Sequence, residues 1–173
     1  MLEWLNSIGN LNVVPTSEVI LRCVLAMVFA MVIGWDRDSK NKPIDFRAYM
    51  IVAVTTCVIA IMGQELYADY ETTDNILRID LTKLIEGVLT GIGFLGAGAI
   101  IKRDNDRIVG TATGASIWAS GGIGLALGFG FYELAFLAFG AVAIILIGGG
   151  FLLPAFQGEE DKIEKKDKEG AES

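Results

Sequence analysis

TKLIEGVLTGIGFLGAGAIIKR, from Thr82 to Arg103, is the stretch whose reading decides the fold. It is apolar and long enough to cross a bilayer, which takes about 20 residues. Five of its positions are glycine, namely Gly87, Gly91, Gly93, Gly96 and Gly98, and one acid, Glu86, lies about a turn inside its start. In a helix facing water each glycine costs roughly 1 kcal/mol against alanine. In a bilayer, small residues let helix backbones approach closely, and that packing drives association. The stretch therefore reads as a membrane helix against which the other helices pack.

The bulk numbers agree with a membrane setting. The chain has 173 residues, 53% of them hydrophobic, and its mean hydropathy is +0.51. The expected class is all-α: a polytopic bundle of five transmembrane helices in one domain spanning residues 18–156, bounded by lipid. The formal net charge is −7, but seven of the acids sit in the last 15 residues. No basic face for nucleic acid is present. Histidine is absent, which removes the commonest zinc ligand and the usual general base. Cys23 and Cys57 fall inside apolar runs and read as packed thiols. With no Ser/His, Asp/Asp or Cys/His arrangement, neither an enzyme nor a cofactor is expected, and no metal ligands are assigned.

Residues 1–17 hold Leu2, Trp4, Leu5, Ile8 and Leu11 without Lys or Arg. A signal peptide needs a positive start and a longer apolar centre, so a short interfacial segment is expected instead. Helix 1 is expected over about Glu18–Trp35 and helix 2 over about Phe46–Leu66, joined by the basic loop with Arg37, Lys40, Lys42, Pro43 and Arg47. An acidic loop, Tyr67 to Leu81, precedes helix 3. The turn KRDNDR leads to helix 4, about Ile108–Phe131, and helix 5 follows from Tyr132 to about Leu153. Residues 157–173 are charged and read as a disordered tail. Lys and Arg concentrate in loop 1–2, loop 3–4 and the tail, which places these in the cytoplasm, with the N-terminus outside.

Helix 4 carries a stripe of small residues at Ala112, Ser116, Ser120, Gly124 and Gly128, and a second at Gly110, Gly114 and Gly122 interrupted by Trp118. Two such faces imply neighbours on both sides, one of which can belong to another subunit. The text pattern GIGFLG at Gly91 to Gly96 resembles a dinucleotide fingerprint, but it lies within a span and not in a strand–turn–helix unit, so no nucleotide site is expected.

A charge at the bilayer centre costs on the order of 3 kcal/mol, so such residues are paired or line a wet cavity. Arg22 and Glu86 sit at matching depth near the outer ends of helices 1 and 3, and Glu86 is read as the one acid inside the spans. An Arg22–Glu86 constellation follows, either as a buried ion pair fixing register or as a cation or proton site. A second group lies at the cytoplasmic rim: Asp36, Arg37, Arg47, Thr111 and Thr113, with Asp36 placed to pair with Arg47. Thr55 and Thr56 are expected to bond back to their own helix carbonyls.

Several separated motifs then resemble the membrane domain of the MgtC/SapB family of bacterial inner-membrane proteins. Arg22, Ala26, Ala30 and Gly34-Trp35-Asp36-Arg37 are similar to the family's first helix, and Arg47 to the head of its second. Asp80-Leu81-Thr82-Lys83 and Gly91 to Gly98 resemble its third, and Gly110, Thr113 and Trp118 its fourth. Asp36 and Lys83 stand where the family usually has Glu and Arg. Ala112 and Ala119 replace the Asn and Cys of the magnesium-limitation branch, so those roles do not carry over. The resemblance implies a short SapB-type member in the inner membrane, tied to magnesium homeostasis. The expectation is a non-enzymatic regulator working through helix–helix contacts, as a homo-oligomer (dimer or higher) or with another membrane complex. The alternative is a small oligomeric transporter or channel for Mg²⁺ or another cation.

Overall fold

A computed structural model describes residue 11 and residues 13–40, 44–71, 80–102 and 108–149. Trp4, Lys42, Pro43, most of the acidic loop, the KRDNDR turn beyond Lys102 and the charged tail lie outside these residues. Five helices are described: α1 Thr16–Ser39, α2 Phe46–Glu71, α3 Leu81–Gly98, α4 Thr111–Gly128 and α5 Tyr132–Gly149. Four of them, all but α4, are long and apolar enough to cross a membrane by length and composition. This is the pattern of a multi-pass membrane protein. The helical class is as the sequence reads, with one addition. Helix 3 stops at Gly98, and Ile101–Lys102 (β1) pairs antiparallel with Ile108–Val109 (β2).

Gly110 closes that ribbon and starts α4. Its φ of +96° is the left-handed region, and a Cβ there would lie 1.9 Å from the Ala99 carbonyl oxygen. Only glycine fits without a shift. Asp80 caps α3 at its other end, its carboxylate accepting from the Thr82 N–H at 2.9 Å and the Lys83 N–H at 3.4 Å. Those backbone bonds hold its carboxyl below the usual range. The Asp-Leu-Thr-Lys run is thus a helix start.

The centre of the bundle is α4 and not α3. Eleven of its 18 residues are buried, against only Ile92 and Gly96 in α3. Its composition explains both its position and its low hydropathy: Gly, Ser, Thr and Ala leave little side chain between backbones. A Cβ on Gly124 would meet Thr56 Oγ1 at 2.2 Å and the Ala53 carbonyl at 2.3 Å, and one on Gly128 the Cys57 carbonyl at 2.4 Å. The stripe Ser116, Ser120, Gly124, Gly128 is therefore spent inside the chain, chiefly on α2. On the other side Gly114 meets Gly96 backbone to backbone, a Cβ at Gly114 falling 2.5 Å from the Gly96 oxygen. The helices α1 and α3 both pack on the α2–α4 pair, and α5 covers α1, with Phe29 stacked on Phe139 at 4.4 Å and edge-on to Phe136 at 4.9 Å.

Helix α3 departs most from the expected hub. A Cβ at Gly87, Gly91, Gly93 or Gly98 meets nothing within 4 Å, so of its five glycines only Gly96 packs within the described chain. The same holds for Gly122 on α4. A contrast follows. Gly124→Ala should destabilise the protein by about 1–3 kcal/mol through overpacking. Gly122→Ala should be neutral or stabilising by up to about 1 kcal/mol. Thermal unfolding of the purified protein in mild detergent measures both.

Candidate functional site

Two polar clusters lie at opposite ends of the bundle. The first surrounds Arg22 on α1. Helix 1 begins two residues earlier than expected, at Thr16, which places Glu18 in its first turn and exactly four residues before Arg22. Arg22 Nη2 donates to Glu18 Oε1 at 2.8 Å, and its Nη1 donates to the Gly128 carbonyl at 2.7 Å. Tyr132 Oη donates to the same Glu18 oxygen at 2.8 Å, and Gln64 Nε2 donates to the Gly128 carbonyl at 2.6 Å. Gly128 lies in the last turn of α4, where carbonyls lack helical partners. The neighbouring carbonyls are taken by a Schellman turn, Gly130 N–H to Leu127 and Phe131 N–H to Ala126, with Gly130 at φ +80°. Arg22 and Gln64 supply what that turn leaves unpaired, and the cation suits the negative end of the helix dipole.

The expected Arg22–Glu86 pair does not form. The α2–α4 pair separates α1 from α3, and Glu86 is exposed on the outer surface of α3. Equal depth is not adjacency. Nor is Glu86 the one acid within a helix: Glu65 on α2 is buried, and its carboxylate accepts from the Val13 and Val14 N–H groups, the latter at 2.8 Å. The signal available in the sequence is the Glu18/Arg22 spacing of four, present in the expected helix as in the observed one. The Thr56 hydroxyl lies 3.0 Å from both the Ala53 carbonyl of its own helix and the Gly121 carbonyl of α4, so it ties helices as well as bonding back. Cys23 and Cys57 are free thiols.

The second cluster occupies the basic end, where α1 finishes and α2 and α4 begin. Gly34 allows the α1–α2 crossing: a Cβ there would lie 2.9 Å from Phe46 Cα. One turn later Arg37 is buried at 7% exposure. Asp36 does not reach Arg47. Asp36 Oδ1 pairs with Lys40 at 2.6 Å, while the exposed Arg47 pairs with Asp45 beside it. Asp45 is held below the usual carboxylate range by the Arg47 side chain and N–H. Thr113, in the first turn of α4, is fully buried against Tyr49 of α2, which in turn lies near Arg37. The Tyr49 and Thr113 hydroxyls face each other, while among the described residues Asp36 Oδ2 and Arg37 Nε have no hydrogen-bond partner. The structure thus sets Arg37 beside Asp36 and Thr113 against Tyr49, and leaves Arg47 with Asp45. Among the described residues no group of three or more His, Cys, Asp or Glu is placed to hold a metal ion.

The Arg22 network makes a stability prediction. Arg22→Met strips Glu18 and the Gly128 carbonyl of a donor and should cost about 1–3 kcal/mol. Glu86→Gln, a surface change in the same chain, should stay within about 0.5 kcal/mol. Unfolding in detergent ranks the two, and the reverse ranking would restore the Arg22–Glu86 pair.

Comparison with known proteins places the chain. The MgtC family model matches residues 23–152. An uncharacterized protein of Haemophilus influenzae is 46% identical over 110 residues, 64% of this chain and 46% of that protein. Protein SapB of Bacillus subtilis is 36% identical over 135 residues, 78% of this chain and 56% of its own length. The putative magnesium transporter YhiD of Escherichia coli is 33% identical over 132 residues, 76% of this chain and 60% of YhiD. The chain thus spans about half the length of these relatives. No solved structure matches it. The matched residues begin one position after Arg22, run from α1 through α5 and take in the glycine run of α3 and the cluster at the basic end, and the chain belongs to the MgtC family.

Proposed function

We propose that this is a non-enzymatic inner-membrane protein of magnesium homeostasis that works through helix–helix contacts in the bilayer, with α3 as the contact helix. The observation that carries the reading is the outward face of α3. Lys83, Glu86, Thr90, Gly93 and Ala97 follow one another at intervals of three and four and are all exposed. A lipid-facing stripe is ordinarily apolar, and ionisable residues within spans face a partner. Among the described residues neither Lys83 nor Glu86 has an ion-pair partner. The glycines Gly87 and Gly91 beside the stripe, with open space over both, permit close approach of another helix.

A second copy meets the need. About a two-fold axis normal to the bilayer, Lys83 of one chain faces Glu86 of the other and the reverse, a stagger of about 4.5 Å along the helix. Ser120 and Gly124, the earlier candidates for this contact, are already occupied inside the chain. The orientation that accompanies the reading puts the end with Arg37, Lys40 and Arg47 in the cytoplasm, with five helices crossing and the N-terminus outside.

The runner-up is cation transport, favoured by the likeness to YhiD, the putative magnesium transporter of Escherichia coli. Mg²⁺ prefers carboxylate oxygens and keeps several waters. One chain offers a single exposed acid on α3, so several copies would have to ring their Glu86 side chains.

Association in liposomes, read by energy transfer between labelled copies on dilution, tests the contact. Lys83→Glu should weaken it about tenfold, since polar contacts between membrane helices are worth about 1–2 kcal/mol. The double exchange Lys83→Glu with Glu86→Lys should restore it. If the exchange fails to restore association, the pairing is wrong. Mg²⁺ flux in the same liposomes, abolished by Glu86→Gln, would instead favour transport.

A further inference from the structure

Helix α3 is short for the bilayer it enters. Its 18 residues rise about 27 Å, against about 30 Å of hydrocarbon. By the same measure the 24 residues of α1 and the 26 of α2 exceed that depth. Asp80 and Lys83 set charge at the start of α3, so the shortfall lies beyond Gly98. The residues there are not those of a polar turn. Ile100, Ile101 and Ile108 are 45%, 49% and 64% exposed, the last as open as Ile51 on α2 at 65%. Ile101 pairs with Val109 and Lys102 with Ile108. Paired residues share a face, so each face of the ribbon carries an isoleucine open to its surroundings. Charge begins only at Lys102 and runs through the connecting sequence, where Lys102, Arg103 and Arg107 outnumber Asp104 and Asp106.

We propose that the α3–α4 ribbon is a lipid-seated wedge, with Ile100, Ile101 and Ile108 in the boundary between acyl chains and phospholipid headgroups. Extended backbone advances about 3.3 Å per residue, so Ile100 and Ile101 close the depth that α3 leaves open. Two exposed apolar faces suit lipid on both sides, whereas a ribbon standing in water would keep one of them polar. The depth is bounded from the other direction as well. A two-stranded ribbon has two open edges, and backbone groups without partners are costly in hydrocarbon. At the boundary, headgroups and water supply those bonds. Three cations against two acids leave the connecting sequence net positive, which complements anionic headgroups. Gly110 fixes the seat: its close approach to the Ala99 carbonyl ties the base of the ribbon to the ends of both helices. The wedge is separate from the α3 contact face and does not rest on it.

The full chain is prepared as Ile101→Cys, Ile108→Cys and Asn105→Cys, each labelled with a thiol-reactive fluorophore and placed in liposomes of phosphatidylethanolamine and phosphatidylglycerol. The exposed side chains at 101 and 108 can be replaced without opening the core, and the unsubstituted chain supplies the background from Cys23 and Cys57. Quenching by iodide reports water. Quenching by doxyl phospholipids, labelled either near the headgroup or at the chain end, reports lipid and its depth. The expected result at 101 and 108 is loss of most of the iodide quenching seen at 105, with lipid quenching strongest from the doxyl group near the headgroup. Iodide reaching either isoleucine position as fully as 105 overturns the proposal. So does exclusion of both quenchers, which would mean that protein covers the ribbon, and a second copy is then identified if dilution with lipid restores quenching. Strongest quenching from the chain end also overturns it, since the ribbon would then lie in the hydrocarbon.

Discussion

Backbone-to-backbone contact along α4 is the constraint from which the arrangement follows. Where Gly124 faces Ala53 and Thr56, and Gly128 faces Cys57, there is no room for a single added carbon. The opposite side repeats the condition at Gly114 and Gly96. A helix so poor in side chain gains little by facing lipid, and it gains most by bringing other backbones close. Dispersion and carbonyl contacts at short range then replace the hydrophobic effect, which does not favour one apolar partner over another inside a bilayer. With α4 enclosed by α1, α2 and α3, the outer helices carry the large apolar side chains. Phe94, Leu137, Ile144 and Ile145 are all well exposed.

The two ends of α4 are finished differently. At the C-terminal end every orphan carbonyl discussed above finds a donor, from the turn at Gly130 or from Arg22 and Gln64. At the N-terminal end Gly110 supplies the chain reversal but no capping side-chain oxygen. A helix whose negative end is neutralised and whose positive end is left open directs a field toward the basic face.

Much of the architecture was legible in the sequence. Lengths of apolar runs and the positions of basic loops give five helices with starts mostly within a few residues, and the Gly91–Gly98 run gives the family. What the run does not encode is direction: a glycine that packs and a glycine that faces outward look the same. The periodicity of α3 held the answer in its polar residues, since Lys83, Glu86 and Thr90 share one face and Ile92 and Gly96 another. Glu86 was placed against Arg22 because depth is computable from sequence while helix adjacency is not. Glu18 stood four residues before Arg22 in the expected span as well, but an acid at the first position of a helix reads as its end and not as a partner within it. Tyr49 carried no signal, because a tyrosine in an apolar run reads as core until its hydroxyl is found against Thr113 of α4.

Helix α3 is divided: Gly96 faces inward to α4, and Gly91 faces outward with open space over it, the side on which we propose a neighbour. One measurement separates the two: the unfolding midpoint and the associated fraction, taken on the same liposome-reconstituted samples of Gly91→Leu and Gly96→Leu. The expected result is a Gly91→Leu protein with a wild-type midpoint and reduced association, beside a Gly96→Leu protein whose midpoint collapses. Equal loss of stability in both variants would contradict the division and return α3 to the middle of the bundle.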